Sequence, residues 1–380
     1  MKRNVVFVLF ALVFAALACD NGTPAPRDTT PTPPVQAEHI PSSFDLGDTA
    51  YGFFPSPPEA TLESVLNHFE ALGEHADFIL IQPNIPWDDF VDGVDGESES
   101  RTDLRNQTIL AQQNGLEWVF VVDSLNGLNR REFLGLPEGW EASFANPDVR
   151  QAFTNFTLWV VQECQPRYLG LASEINTYLD AHPDDVESYI SLYRDVYDQV
   201  KEVAPDTQVF VTFQWADLNN IIPGANEGRQ PYQTNWDQIE AFEPRLDLWV
   251  ISTYPFVIFD SGDEIPDDYY TSLLERTDKP LAVAEGGYSS HMVGPFPGDP
   301  QDQVAYLEAI HDQIGHRLNF WVYLILTDLN MDSISGMARD QGMPDTDINT
   351  LSIFAHVGLL ESDGTPKPAL ELWDRYRSYE

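Results

Sequence analysis

Tyr168-Leu-Gly-Leu-Ala-Ser-Glu-Ile-Asn176 is a short apolar run that stops on a carboxylate. Leu281-Ala-Val-Ala-Glu-Gly-Gly-Tyr288 repeats the arrangement far along the chain. Neither run alternates apolar with polar residues. Side chains alternate faces along a strand, so a continuous apolar run reads as a strand buried on both faces, which is how parallel sheets read.

The same kind of run recurs outward from these two. The strand candidates are Tyr51–Phe54, Phe78–Gln82, Trp118–Asp123, Tyr168–Ala172, Gln208–Phe213, Leu246–Ser252, Pro280–Ala284 and Phe320–Leu326. The longer stretches between them have helical spacing. Thr61–Leu72 carries Leu62, Val65, Leu66 and Phe69, and Val186–Val203 carries Val186, Tyr189, Ile190, Tyr193, Val196, Tyr197 and Val200. Asp302–Ile314 follows the same rule, and the sixth helix, near Asp267–Arg276, is short. Pro147 opens the third helix and Pro205 follows the fourth, as proline's missing N–H and fixed φ allow. Strand-then-helix units repeated eight times predict an α/β fold, a single (β/α)8 TIM barrel over residues 46–380. An open doubly wound sheet is the alternative; no Gly-x-Gly-x-x-Gly follows the first strand, which weakens a dinucleotide site.

Composition narrows the partners. The formal net charge is -41, from 61 acidic against 20 basic residues. Such a surface repels nucleic acid and anionic headgroups, so no nucleic acid is expected as a partner. The acidic residues are spread along the chain and read as a solvated surface. The only cysteines are Cys19 and Cys164, so no intrachain disulfide framework is expected. Cys164, in the amphipathic stretch Gln151–Arg167, reads as a buried thiol. The acidic run Asp260–Asp268 lacks the spacing of a calcium loop, and neither a metal nor a cofactor is expected. His291 reads as a solvated loop histidine.

Residues 1–19 read as an export segment: Lys2 and Arg3, an apolar run from Val5 to Ala18, then Cys19. The pattern resembles a bacterial lipoprotein signal, with Ala16 where leucine is usual. It implies that Cys19 is lipidated and that the mature protein is an exported bacterial membrane or cell-surface lipoprotein. Residues 20–45, rich in Pro and Thr, cannot bury enough surface to fold and read as a tether. The lipid is the expected membrane contact, and the barrel is expected to be a monomer.

In a barrel of this kind, chemistry sits at the C-terminal ends of the strands. Glu174 and Glu285 stand there, on the fourth and seventh strands, across the mouth from one another. Breaking a glycosidic bond needs two such groups. One protonates the leaving oxygen, and the other captures or stabilises the positive anomeric centre. Trp87, Trp215 and Tyr288 follow strands and could supply flat apolar walls for sugar rings. Gln214 and Asn176 are candidate hydroxyl binders.

These segments resemble the clan A glycoside hydrolases, and most closely the family 53 endo-β-1,4-galactanases. The likeness rests on Gly170-Leu-Ala-Ser-Glu-Ile-Asn176, Val250-Ile-Ser-Thr-Tyr-Pro-Phe256, Ala282-Val-Ala-Glu-Gly-Gly-Tyr288 and Gly358-Leu-Leu-Glu-Ser-Asp-Gly-Thr-Pro-Lys-Pro-Ala-Leu370. It implies Glu174 as acid/base, Glu285 as nucleophile and Tyr254 as a donor to Glu285. It also implies Ser173 in the place of the asparagine that binds the sugar 2-hydroxyl, and a β-linked polysaccharide or oligosaccharide as substrate. The chain departs from the clan where Ile81-Gln-Pro-Asn84 stands instead of an arginine on strand two. It departs again where Asp123 or Ser124 stands for a histidine after strand three. Two rival expectations remain: a glycan-binding lipoprotein with a vestigial barrel, and a phosphate-handling barrel. The second is disfavoured by the acidic charge and by the lack of a glycine-rich phosphate loop after strands seven and eight.

Overall fold

A computed structural model describes residues 49–340 and 342–378. The export segment with Cys19 and the tether lie outside the described residues.

The apolar runs form a ring of parallel strands. They are β1 (Ala50–Phe53), β2 (Phe78–Ile81), β3 (Glu117–Val121), β4 (Tyr168–Gly170), β5 (Gln208–Phe210 and Thr212–Gln214), β6 (Trp249–Thr253), β7 (Leu281–Gly286) and β8 (Leu318–Tyr323). β5 closes the ring by changing partners at Val211. Its first half pairs with β4 and its second with β6. β1 joins β8, with Ala50 opposite Phe320, and also joins β2. The fold is a (β/α)8 TIM barrel.

The interior is packed with rings. Phe320 of β8 meets Phe78 of β2 at 5.8 Å, Tyr168 of β4 at 5.1 Å and Phe210 of β5 at 5.8 Å, so it reaches across the barrel. This plug fills the barrel interior, and in such barrels the C-terminal mouth holds the ligand.

The outer helices are α1 (Leu62–His75), α2 (Glu99–Gln113), α3 (Pro147–Cys164), α4 (Val186–Val203), α5 (Trp236–Glu240), α6 (Ser272–Arg276), α7 (Pro300–Ile314) and α8 (Pro368–Ser378). Their starts follow capping chemistry. Thr61 Oγ1 accepts from Ser64 N in α1, and Asn146 caps α3 with Pro147 as its first residue. The stripe read in α1 is only half buried: Val65 and Phe69 face the core, but Leu62 and Leu66 are exposed. α4 buries Tyr189, Ile190, Tyr193, Val196 and Val200 as expected. Cys164 is buried, and burial pushes its thiol up to about 12, so it is inert. Among the described residues no helix is long and apolar enough to cross a membrane.

Candidate active site

Two local irregularities aim the carboxylates. The pairing of β7 with β6 shifts register between Val283 and Glu285. Such a bulge re-aims the side chain that follows it. Gly286 then passes so close to Thr253 that an added Cβ would lie 2.8 Å from its carbonyl oxygen. Only glycine allows that approach. Glu174 precedes the short helix Ile175–Ala181 with φ 48 and ψ 42, in the left-handed region. A non-glycine residue there stores about 1–3 kcal/mol of strain. Thr212 of β5 holds it in place, accepting from Glu174 N at 2.7 Å.

Both carboxylates meet at one guanidinium. Arg130 Nε donates to Glu174 Oε2 at 3.2 Å, and Nη2 donates to Glu285 Oε1 at 3.3 Å. Nη1 donates to Asp123, and Gln82 Nε2 donates to the same oxygen at 2.9 Å. Arg130 comes from a hairpin after β3, Leu125–Asn126 with Asn129–Phe133. The arginine expected on strand two, where Gln82 stands, comes instead from this hairpin. The turn signal Asn126-Gly127, followed by two arginines in so acidic a chain, was the trace to follow.

The remaining donors are unequal. Glu285 accepts from Ser173 Oγ at 2.5 Å and from Tyr254 Oη at 3.2 Å, besides Arg130. Glu174 accepts from Ser252 Oγ at 2.5 Å, and Ser252 lies opposite Glu285 in the β6–β7 register. Burial pushes the Glu285 carboxyl up to about 7; Arg130 pulls it down, Glu174 raises it and the Ser173 hydrogen bond lowers it. Burial also opposes the charge on Arg130, but Asp123, Glu285 and Glu174 outweigh it and keep the guanidinium ionised. Burial first, then the charges of Glu285 and Glu174, keep the Tyr254 hydroxyl protonated well above its usual range. Tyr254 is therefore a donor here.

A cavity of about 460 Å³ opens over this network, and Glu174, Glu285, Tyr254, Gln214, Gln82 and Arg130 line it. That size suits a small ligand. The other expected site residues lie elsewhere. Ser173 is fully buried and turned onto Glu285, with no border on the cavity. Asn176 is buried and spends its amide on Gln214 and Asp217. Trp87 and Trp215 are core residues whose indole N–H groups donate to Leu134 and Tyr269 carbonyls. Tyr288 is buried and donates to the Phe259 carbonyl. None of these four borders the cavity: residues that follow a strand also pack the layer between strands and helices.

His291 is exposed, as the solvated reading expects, but it is not isolated. Its ring lies 4.8 Å from that of His356, and both converge on Asp328 closely enough to hold a metal ion. Asp328 already carries a counter-charge, because Lys367 Nζ donates to it at 2.7 Å. The group therefore reads as a structural cluster joining the β7 and β8 loops to the C-terminal segment.

No family model and no curated protein matches the sequence. Solved structures do resemble it. The exo-β-1,4-mannosidase of Opitutaceae bacterium strain TAV5 superposes with a TM-score of 0.61 at 13% identity, over 90% of this chain and 62% of the mannosidase. This chain thus spans less than two thirds of that enzyme. A GH5_18 protein of Streptomyces cattleya, in complex with Manb1-4GlcNAc, gives 0.62 at 15% identity, over 88% and 82% of the two chains. Fungal β-1,4-galactanases give 0.53 at 13% identity, over 82% and 91%. The shared property is the fold. These neighbours are glycoside hydrolases of several kinds, and galactanases are only one of them.

Proposed function

We propose that the protein is a retaining glycoside hydrolase acting on a β-linked glycan, with Glu174 as acid/base and Glu285 as nucleophile. The observation that carries this reading is the arrangement on the cavity floor. Two carboxylates from β4 and β7 share one guanidinium and open onto a cavity. The bridge holds the two carboxyl groups to one guanidinium, and the retaining assignment requires them to lie about 5–5.5 Å apart.

In this mechanism Glu174 donates a proton to the glycosidic oxygen as Glu285 attacks the anomeric carbon. The aglycone leaves as an alcohol. Glu174 then takes a proton from water, which displaces Glu285 and releases the sugar. Arg130, Ser173 and Tyr254 all donate to Glu285 and so favour its ionised form against the burial that opposes it. A vestigial barrel would have no need to keep this buried charge. Digestion of β-galactans, β-glucans, β-mannans, xylans and simple β-glycosides tests the reading; sugar release by the wild type and none by Glu285→Ala is expected. Binding without release from every substrate would favour a non-catalytic glycan-binding protein. On the sequence alone, the same proposal places the barrel outside the cell, tethered through a lipid on Cys19.

A further inference from the structure

The cavity is polar around the carboxyl pair, but a large part of its remaining lining is apolar. Ile222 follows β5, Val257 follows β6, and Leu324 and Ile325 follow β8. Leu351 and Phe354, at the end of the helix Asp345–Ser352 and just beyond it, also line it. Phe354 sets its ring edge against Tyr254 at 5.1 Å, so the apolar wall begins beside the nucleophile's donor. Gln82, Arg130 and Tyr254 belong to the network around the carboxyl pair. Ser56, Asn129, Arg131, Thr177, Gln214 and Thr350 also border the cavity, and Gln214 and Thr177 are tied to the Asn176–Asp217 group.

A second sugar would fit the apolar part of this lining badly. Each hydroxyl pressed against an aliphatic side chain loses its hydrogen bond to water and gains none. Trp87 and Trp215 are in the core, and the rings that border the cavity are Phe54, Tyr254 and Phe354. An apolar group meets no such penalty. Burying it removes apolar surface from water on both sides of the contact.

We propose that the group leaving from the glycosidic bond is an apolar alcohol, an alkyl or aryl aglycone, and that the substrate is a small β-glycoside of glycolipid character. The inference rests on the hydrolase reading. The floor holds one sugar between Glu174 and Glu285, and the aglycone lies along Ile222, Val257, Leu324 and Phe354. Water splits the bond: the sugar keeps the new hydroxyl, and the aglycone leaves with the proton from Glu174.

The test compares octyl, methyl and β-1,4-linked disaccharide glycosides of one sugar, below the micelle-forming concentration, repeated for galactose, glucose and mannose. The octyl glycoside should exceed the methyl glycoside in kcat/KM by roughly tenfold or more, since one methylene in an apolar pocket already gives a factor of that order. The disaccharide should fall below the octyl glycoside. Ile222→Asn, at a half-buried wall position, should reduce the octyl-to-methyl ratio severalfold. Equal rates for octyl and methyl glycosides, or a preference for the disaccharide, would overturn the inference and leave the hydrolase reading intact. Titration of both glycosides into Glu285→Gln separates the remaining outcomes. Tighter octyl binding without turnover by the wild type would support the apolar subsite and overturn the hydrolase reading. Equal or absent binding, again without turnover, would overturn both.

Discussion

Two buried charged clusters lie at the C-terminal end of the barrel, and they are built on opposite principles. In one, Lys367 meets Asp328 at 2.7 Å, and its other donors go to Ser290 and the Gly358 carbonyl. Both side chains are 2% exposed, and one cation faces one carboxylate. In the other, Arg130 faces Asp123, Glu174 and Glu285 together. Both clusters tie neighbouring strand ends. Only the second carries excess buried negative charge, and only there do the carboxylates open to a cavity. A balanced pair is what structure alone requires. An unbalanced one persists at a cost, and such cost is found where chemistry needs a displaced proton affinity.

The sharpest way to break the comparison is to remove one member of each cluster. Glu285→Ala should abolish turnover, with part of it recovered by azide as a small external nucleophile. Glu174→Ala should lose most on substrates with poor leaving groups and least on activated aryl glycosides, which need little protonation. Lys367→Met should leave kcat per folded molecule close to wild type. Full activity in either glutamate variant would remove the distinction between the clusters.

Stability should treat the two clusters alike. Arg130→Ala and Lys367→Met each take the buried counter-charge from buried carboxylates, a loss of about 3–5 kcal/mol. Denaturant unfolding measures it; a loss below about 1 kcal/mol in either variant would show that water already screens the site.

Glu285 gives the comparison a pH dependence. Its folded value, about 7 against an ordinary 4.5, means that the folded state binds more protons than the unfolded state between those limits. Stability should therefore fall as pH rises through that window, by on the order of 3 kcal/mol in all. Glu285→Gln keeps the shape and removes the charge. It should be more stable than wild type at pH 8 and about equal at pH 4.5, as read by Tm at the two pH values. An unchanged difference between those pH values would place the proton elsewhere.

The smallest effect belongs to Ser173. Its hydrogen bond lowers the proton affinity of Glu285, so Ser173→Ala should move the acid limb of the kcat/KM profile to higher pH. The loss at the optimum should be about 1 kcal/mol of transition-state stabilisation, as for one neutral hydrogen bond. A change in KM alone, with the limb unmoved, would point to substrate contact rather than support of Glu285.

How much of this was legible before folding differs by residue. The strands were, because parallel strands buried on both faces spell continuous apolar runs. The place of Glu174 and Glu285 at the barrel mouth was, because each stops such a run. Arg130 was not: it lies in a polar hairpin outside the barrel repeat and reaches Glu285 only through the fold. The ring residues were misleading for a related reason. Trp87, Trp215 and Tyr288 follow strands as ligand-facing rings would, but each has its polar atom paired inside the protein. Sequence position marks the level in the barrel, and only packing decides which way a ring turns.

The central claim is the retaining pair, and the anomeric configuration of the first product tests it most directly. With a β-glycoside that the enzyme cleaves, proton NMR during the first minutes should show the β-anomer, followed by slow mutarotation. An initial α-anomer would mean a single displacement by water, and would contradict the assignment of Glu285 as nucleophile.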